Sequence, residues 1–326
     1  MLINNLLTLF SRVFELYNLD NYIYFCTVFL QYMKLLAILA CILWGSAFVG
    51  AKIGFEYMEP LRLSGFRFAL AGILLWPLLY FQRVNLRAHL HHWKFMLLFA
   101  FLQTFMQYGL FFMGLNLVPA PTAAVIVGAG PLFVAVMAHF TIHNDHLSLR
   151  KIIAILLGLS GVVFISLAKG DLSGGGAVFY SGIALLIISN TIGASTNILV
   201  AKYKGEISPI ALTSFANFTG GVMLIIVSLF TESSKGHGYP LEFWAALLWL
   251  AIIPAAGFSI WYTLLKRPNV KVSELNMWKF IIPVTGCILS WLILPDVSPD
   301  LPSVVGILII TTALLILQLP ARKKAI

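Results

Sequence analysis

The amino-acid sequence predicts an all-α polytopic membrane protein, with ten transmembrane helices arranged as two inverted five-helix repeats. Three observations carry that prediction. Of the 326 residues, 60% are hydrophobic and only 10% charged, against about 45–50% apolar and about 25% charged in a soluble globular protein. Apolar runs of about twenty residues, long enough to cross a ~30 Å hydrocarbon core, recur ten times along the chain. A pattern running from a mid-span proline to an acid in the fourth run returns in the ninth, the mark of an internal repeat.

The runs lie near residues 35–53, 61–81, 95–117, 121–142, 151–168, 177–200, 209–230, 242–265, 275–294 and 302–320. Residues 1–33 stand apart. Their stretch "NYIYFCTVFLQYM" is apolar over only about 13 residues, too short to cross, and no small-residue cleavage site follows it. This segment is expected to be a surface helix or an upstream start that is not used, with Met33 as the natural beginning. Orientation follows from lysine and arginine, which stay on the cytoplasmic side of short loops. With the N-terminus inside, the inner segments carry Lys34, then Arg83, Arg87 and Lys94, then Arg150 and Lys151, then Lys202 and Lys204, then Lys266, Arg267 and Lys271, and finally the basic tail 321–326. The outer segments hold only Lys52, Arg62, Lys169 and Lys235. Both termini are therefore expected to be cytoplasmic, in what reads as a bacterial cytoplasmic membrane.

The repeat sets the architecture. "GPLFVAVMAHFTIHND" contains Pro131 and ends at Asp145, and "IPVTGCILSWLILPD" contains Pro283 and ends at Asp296. Pro60 and Pro209 precede the second and seventh runs, and Lys52 pairs with Lys202 at a similar offset. Residues 34–168 and 175–320 are thus the two copies. Five spans is an odd number, so the second copy enters the membrane upside down, a design that places a site near the midplane between the halves.

Other classes find no support. The three cysteines, Cys26, Cys41 and Cys287, are spaced for neither a disulfide framework nor a metal site. The sequence has no GxxxxGK[ST], HExxH or GxSxG, so nucleotide-driven pumping and the common hydrolase motifs drop out. No catalytic residue, cofactor, metal or nucleic-acid partner is expected. The partners expected are a small-molecule substrate and the lipid bilayer, with the chain a monomer or homodimer.

The segments "ILWGSAFVGAKIG" (Trp44, Gly45, Lys52) and "EPLRLSGFRF" (Pro60, Arg67, Phe68), with the two proline-to-acid segments, resemble the EamA family of the drug/metabolite transporter superfamily over roughly residues 34–320. Two departures stand out: Asp145 and Asp296 replace the family's usual glutamates, and the second half has no tryptophan matching Trp44. The resemblance implies a ten-helix carrier working by alternating access, its cavity lined mainly by spans one, three, four, six, eight and nine.

Helical periodicity selects the side chains that share faces with the midplane breakers. In the ninth span Asn276, Lys279, Pro283 and Gly286 form one stripe. Gln103 and Gln107 form another in the third, and Asn190, Gly193 and Asn197 a third in the sixth. The expected substrate-binding residues are Trp44, Gln103, Gln107, Asn190, Trp261 and Lys279. Gly128, Pro131, Pro254, Pro283 and Gly286 are the expected close-contact and bending points. Each stripe has a plainer reading: small residues let helices pack closely, amides join helices, and a lysine near a helix end snorkels to the interface. Arg67 is expected to be structural, from its position in the family pattern.

All twelve acids map to loops, tails or span ends. A carrier exchanging protons for organic cations commonly needs a buried carboxylate, so a neutral or carboxylate-bearing metabolite is favoured; coupling to a proton stays open, with no central acid to support it. The chain reads as a secondary transporter, an exporter of amino-acid-like or other amphipathic solutes. A lipid or polyprenyl-phosphate flippase, with Arg67 and Lys279 holding the phosphate, is the first alternative. An integral membrane enzyme using His89, His91 and His92 is the second.

Overall fold

The computed structural model describes residues 19–117, 126, 128–143, 145–169, 177–203, 205–233, 238–267, 270–293 and 301–318. Residues 1–18, Asp296 and the tail 321–326 lie outside the described residues, as do the side chains of Cys26, Lys52 and Cys287. Every regular element among those described is helical. The ten helices are α1 Leu19–Tyr57, α2 Pro60–Phe81, α3 Leu86–Leu117, α4 Gly130–Thr141, α5 Leu149–Lys169, α6 Ala177–Lys202, α7 Pro209–Thr231, α8 Leu241–Leu265, α9 Val272–Ile293 and α10 Leu301–Gln318. Seven of them (α1 to α3 and α6 to α9) are long and apolar enough to cross a bilayer over their described residues. The helix of the first span runs unbroken from Leu19 for 39 residues, about 58 Å at 1.5 Å per residue, well beyond the hydrocarbon thickness.

Prolines open α2, α4 and α7 within their first turn, where the missing N–H is an orphan in any case. Pro254 instead sits inside α8, where it leaves the carbonyl of Leu250 without its usual donor.

The packing has a twofold logic. Helix α2 lies along α7 and α5 along α10, each pairing a helix with its counterpart in the other repeat. Helix α1 packs on α8 and α9, and its counterpart α6 packs on α3 and α4. The exchange of each helix for the one five places on maps these contacts onto each other, as expected for two equivalent repeats facing one another. At the α2–α7 crossing a Cβ on Gly221 would collide with the backbone nitrogen of Ala69 and lie 2.8 Å from the Gly65 carbonyl oxygen. Only glycine permits this backbone approach. The largest buried cluster gathers Cys41, Phe68, Phe99, Phe258, Trp261 and Tyr262, so the core lies between the repeats rather than within either.

Candidate functional site

Helix α9 changes its winding at Lys279. Trp278–Phe280 form a 3-10 turn between the α-helical segments Val272–Met277 and Ile281–Ile293, the kind of tightening that marks strained or hinge positions. Pro283 has no N–H to offer the carbonyl four residues back, which is that of Lys279. The Lys279 side chain points into the seam: its Nζ stands 4.7 Å from the Trp261 ring centroid and 5.5 Å from that of Trp44. Trp44 is on α1, Trp261 on α8 and Lys279 on α9, so one ammonium joins both repeats. No described carboxylate pairs with it. Desolvated cation–π contacts are worth about 2 kcal/mol, less than the several kcal/mol that removing an ammonium from water costs.

Amides surround this centre. Trp261 Nε1 donates to Asn197 Oδ1 at 2.8 Å, and Asn276 Nδ2 reaches the same oxygen at 3.4 Å. One residue away from Asn197, Thr196 Oγ1 donates to Gln103 Oε1 at 2.7 Å. A π-helical turn over Phe101–Met106 buries Gln103 and Thr104 together; such turns widen a helix locally and re-aim its side chains. Gln107 follows immediately and lies against Gly193, where a Cβ would come within 2.7 Å of Nε2. Three buried polar atoms here have no partner among the described residues: Trp44 Nε1, Gln107 Oε1 and Asn276 Oδ1.

Trp44, Trp261 and Lys279 are therefore brought into direct contact, and Gln103 joins them through Thr196 and its neighbour Asn197. Gln107 lies beside them on α3, facing α6. Asn190 is elsewhere: its Nδ2 donates to the Ile126 carbonyl, fastening α6 to the segment before α4. Of the bending points, Gly128 and Pro131 are buried at the entry to α4, Pro254 and Gly286 are buried, and Pro283 is half-buried. In the histidine-rich loop His92 Nδ1 meets the Tyr203 hydroxyl at 2.7 Å, and His91 Nδ1 meets the Ala88 carbonyl at 2.6 Å.

Sequence reasoning missed the aromatic continuation of the site. Phe258 lies 5.4 Å from Trp44, 5.9 Å from Tyr108 and 6.4 Å from Phe68. With 25 phenylalanines in the chain, nothing marks this one in advance.

At one end of the seam the repeats are joined by a buried polar node. Asp145, just after α4, accepts from Lys151 Nζ at 2.7 Å, from the backbone N–H of Ser273 at 2.8 Å, and from the Ser273 hydroxyl. Lys151 Nζ also donates to Ser273 Oγ at 2.7 Å. Burial alone would raise the Asp145 carboxyl, but the Lys151 ammonium and the two Ser273 donors outweigh it and hold the group below the usual carboxylate range. Ser273 is in the first turn of α9, so Asp145 caps from the other repeat the helix that carries Lys279.

A helical membrane transporter of two repeats, with its polar side chains gathered at their seam, is the class these features define. The chain belongs to the EamA-like transporter family, which it matches over residues 31–167 and 180–319. Relatives include the Uncharacterized transporter YvbV of Bacillus subtilis (strain 168), 26% identical over 87% of this chain and 90% of that protein. Another is the Probable amino-acid metabolite efflux pump of Escherichia coli (strain K12), 26% identical over 85% of this chain and 91% of that one. A solved crystal structure superposes with a TM-score of 0.74 at 16% identity, covering 88% of this chain and 96% of that chain, a likeness of fold.

Proposed function

We propose that the chain is a secondary transporter exporting small carboxylate-bearing organic solutes, amino-acid-like or otherwise amphipathic, across a bacterial cytoplasmic membrane. The two repeats rock about their seam and expose the site to one face at a time, with no covalent chemistry. The observation that carries this reading is the half-buried Lys279 ammonium held in the seam between Trp44 and Trp261, with no described carboxylate paired to it. An incoming carboxylate supplies the missing countercharge, while the rings accept an apolar body. The efflux pump among the relatives carries amino-acid metabolites by its name, which agrees with this cargo.

The test is efflux of labelled amino acids and their carboxylate analogues from cells expressing the full chain, native beside Lys279→Met. The variant keeps the length of the side chain and removes the charge. Export is expected to fall by about tenfold or more, the scale of one lost charge-assisted contact. Native-like export of every solute by Lys279→Met would overturn the reading.

A further inference from the structure

A second cation occupies the seam, and this one is buried. Arg67, on α2, is 5% exposed. Its guanidinium carbon lies 4.6 Å from the Phe68 ring centroid, 4.8 Å from Phe112 and 5.5 Å from Tyr108. Among the described residues it makes no ion pair, and its Nε is buried without a hydrogen-bond partner. Glu232, a carboxylate at the same end of α2, is already engaged by the backbone N–H groups of Leu61 and Arg62. Three rings compensate a desolvated guanidinium only in part. A planar fork of N–H donors is built to receive a carboxylate side-on.

The two cations are the ends of one structure. From Lys279 the rings run through Trp261 and Trp44, 5.1 Å apart, to Phe258 and then Phe68, which carries Arg67 on its face. Arg67 is seven residues into α2 and Lys279 seven residues into α9, each about 10 Å along its helix. An even-numbered and an odd-numbered span begin at opposite membrane faces, so the two cations sit on opposite sides of the midplane. Asn276 reaches Trp261 through the shared Asn197 oxygen, and the Gln107 amide lies against Gly193, one turn before Asn197; their unpartnered acceptors, Asn276 Oδ1 and Gln107 Oε1, suit the N–H groups of an amine.

We infer that Arg67 is a second carboxylate subsite, so that a solute with an anionic head and an apolar body is held by Lys279 near one face and by Arg67 near the other. The apolar body moves along the ring ladder while the head is handed from ammonium to guanidinium. Zwitterions qualify because Gln107 and Asn276 accept from their amine; a cation without a carboxylate does not. The inference rests on the proposed role of Lys279 and adds the second station and the charge requirement.

The experiment uses the full chain in oriented proteoliposomes with three probes of one skeleton: L-leucine, 4-methylpentanoate and 3-methylbutylamine. The first two are expected to be carried and the amine refused. Arg67→Gln is expected to raise the half-saturation concentration about tenfold from the side where α2 begins and to leave it within about twofold from the other side. Lys279→Met is expected to do the reverse, and Arg67→Lys to recover part of the loss. Transport of the amine as well as the acid overturns the inference. So does an Arg67→Gln protein in which only the maximal rate falls, equally from both sides, as a structural arginine would give. An Arg67 effect missing beside a clear Lys279 effect removes the second station alone, whereas no effect of either removes the site reading as well. Should Arg67→Gln not fold, the native protein serves: phenylglyoxal labelling of Arg67, read by mass spectrometry, is expected to be blocked by 4-methylpentanoate. Labelling that is unchanged by the acid, or an Arg67 unreactive in every condition, overturns the inference.

Discussion

At one end of the seam Asp145 reaches across from the first repeat to the opening turn of α9; at the other, Glu232 reaches across from the second repeat to the opening turn of α2. The parallel is close. Glu232 Oε1 accepts from Leu61 N–H at 2.6 Å and Oε2 from Arg62 N–H at 2.8 Å, as Asp145 accepts from Ser273 N–H. Each carboxylate caps, from the opposite repeat, the helix that carries one of the two seam cations. The surroundings differ. Asp145 is 1% exposed and shares its oxygens with the equally buried Lys151. Glu232 is half-buried, and the Arg62 guanidinium beside it donates instead to the carbonyls of Ser228 and Glu232. The same cap is thus built once as a sealed ion pair and once as an open carboxylate on two backbone donors. Sealing raises the cost of breaking it, because the abandoned partner stays out of water.

The first way to break the comparison is to remove one partner of the sealed pair. Asp145→Ala leaves the buried Lys151 with only the partly exposed Glu274 carboxylate, 3.7 Å away, and is expected to destabilise the protein by about 3 kcal/mol, measured by reversible unfolding in mixed micelles. Adding Lys151→Met to that variant is expected to recover most of the loss, since apolar replacement of a whole buried pair is often near neutral. A double variant no better than the single one would show that the node acts through its hydrogen bonds rather than its charge.

A smaller effect is expected at the crossing that supports the open cap. Gly221→Ala puts a methyl against the backbone of α2 at Ala69, and overpacking of this kind typically costs about 1–3 kcal/mol. Smaller again is Glu232→Gln, which keeps one oxygen for a backbone N–H, turns the other acceptor into an NH2 that cannot receive one, and removes the charge from the N-terminus of α2, at about 1–2 kcal/mol. If Glu232→Gln matched Asp145→Ala in the same assay, the distinction between sealed and open caps would be lost.

The architecture was legible because its causes are local or periodic: lengths of apolar run, prolines at helix starts, and a pattern repeated at a fixed offset. The Trp44, Trp261 and Lys279 centre was legible in part, since each stands out chemically in an apolar span, although their meeting depends on three helices from two repeats. Asn190 shows the limit. It shares a stripe with Asn197, yet in the structure it serves the Ile126 carbonyl while Asn197 serves Trp261. A stripe defines a face of a helix and leaves open which neighbour meets each turn of it. The Asp145 node was less legible still, because Ser273 is 128 residues away and a serine near a helix start has many local uses. Arg67 read as structural from its place in the family pattern, and its ring partners are ordinary members of an aromatic-rich sequence that nothing marks in advance.

The smallest effect expected is on pH dependence, and it separates the two caps without altering packing. The Asp145 carboxyl is held below its ordinary value in the folded protein, with burial opposing and Lys151 and Ser273 prevailing. A group depressed in the folded state binds protons more readily when unfolded, so its contribution is present above the unfolded value, about 4 for aspartate, and is lost as pH falls through the lower folded value. Stability should therefore show no Asp145 contribution to its slope above about pH 5 and a decline below about pH 4. Histidines and other acids titrate nearby, so the quantity to measure is the native curve minus that of Asp145→Asn, in which their contributions cancel. That difference is expected to shrink steadily below about pH 4. A difference that stayed constant down to the lowest pH at which the protein remains folded would mean that Asp145 is protonated equally in both states, and the sealed pair could not be what joins α9 to the first repeat.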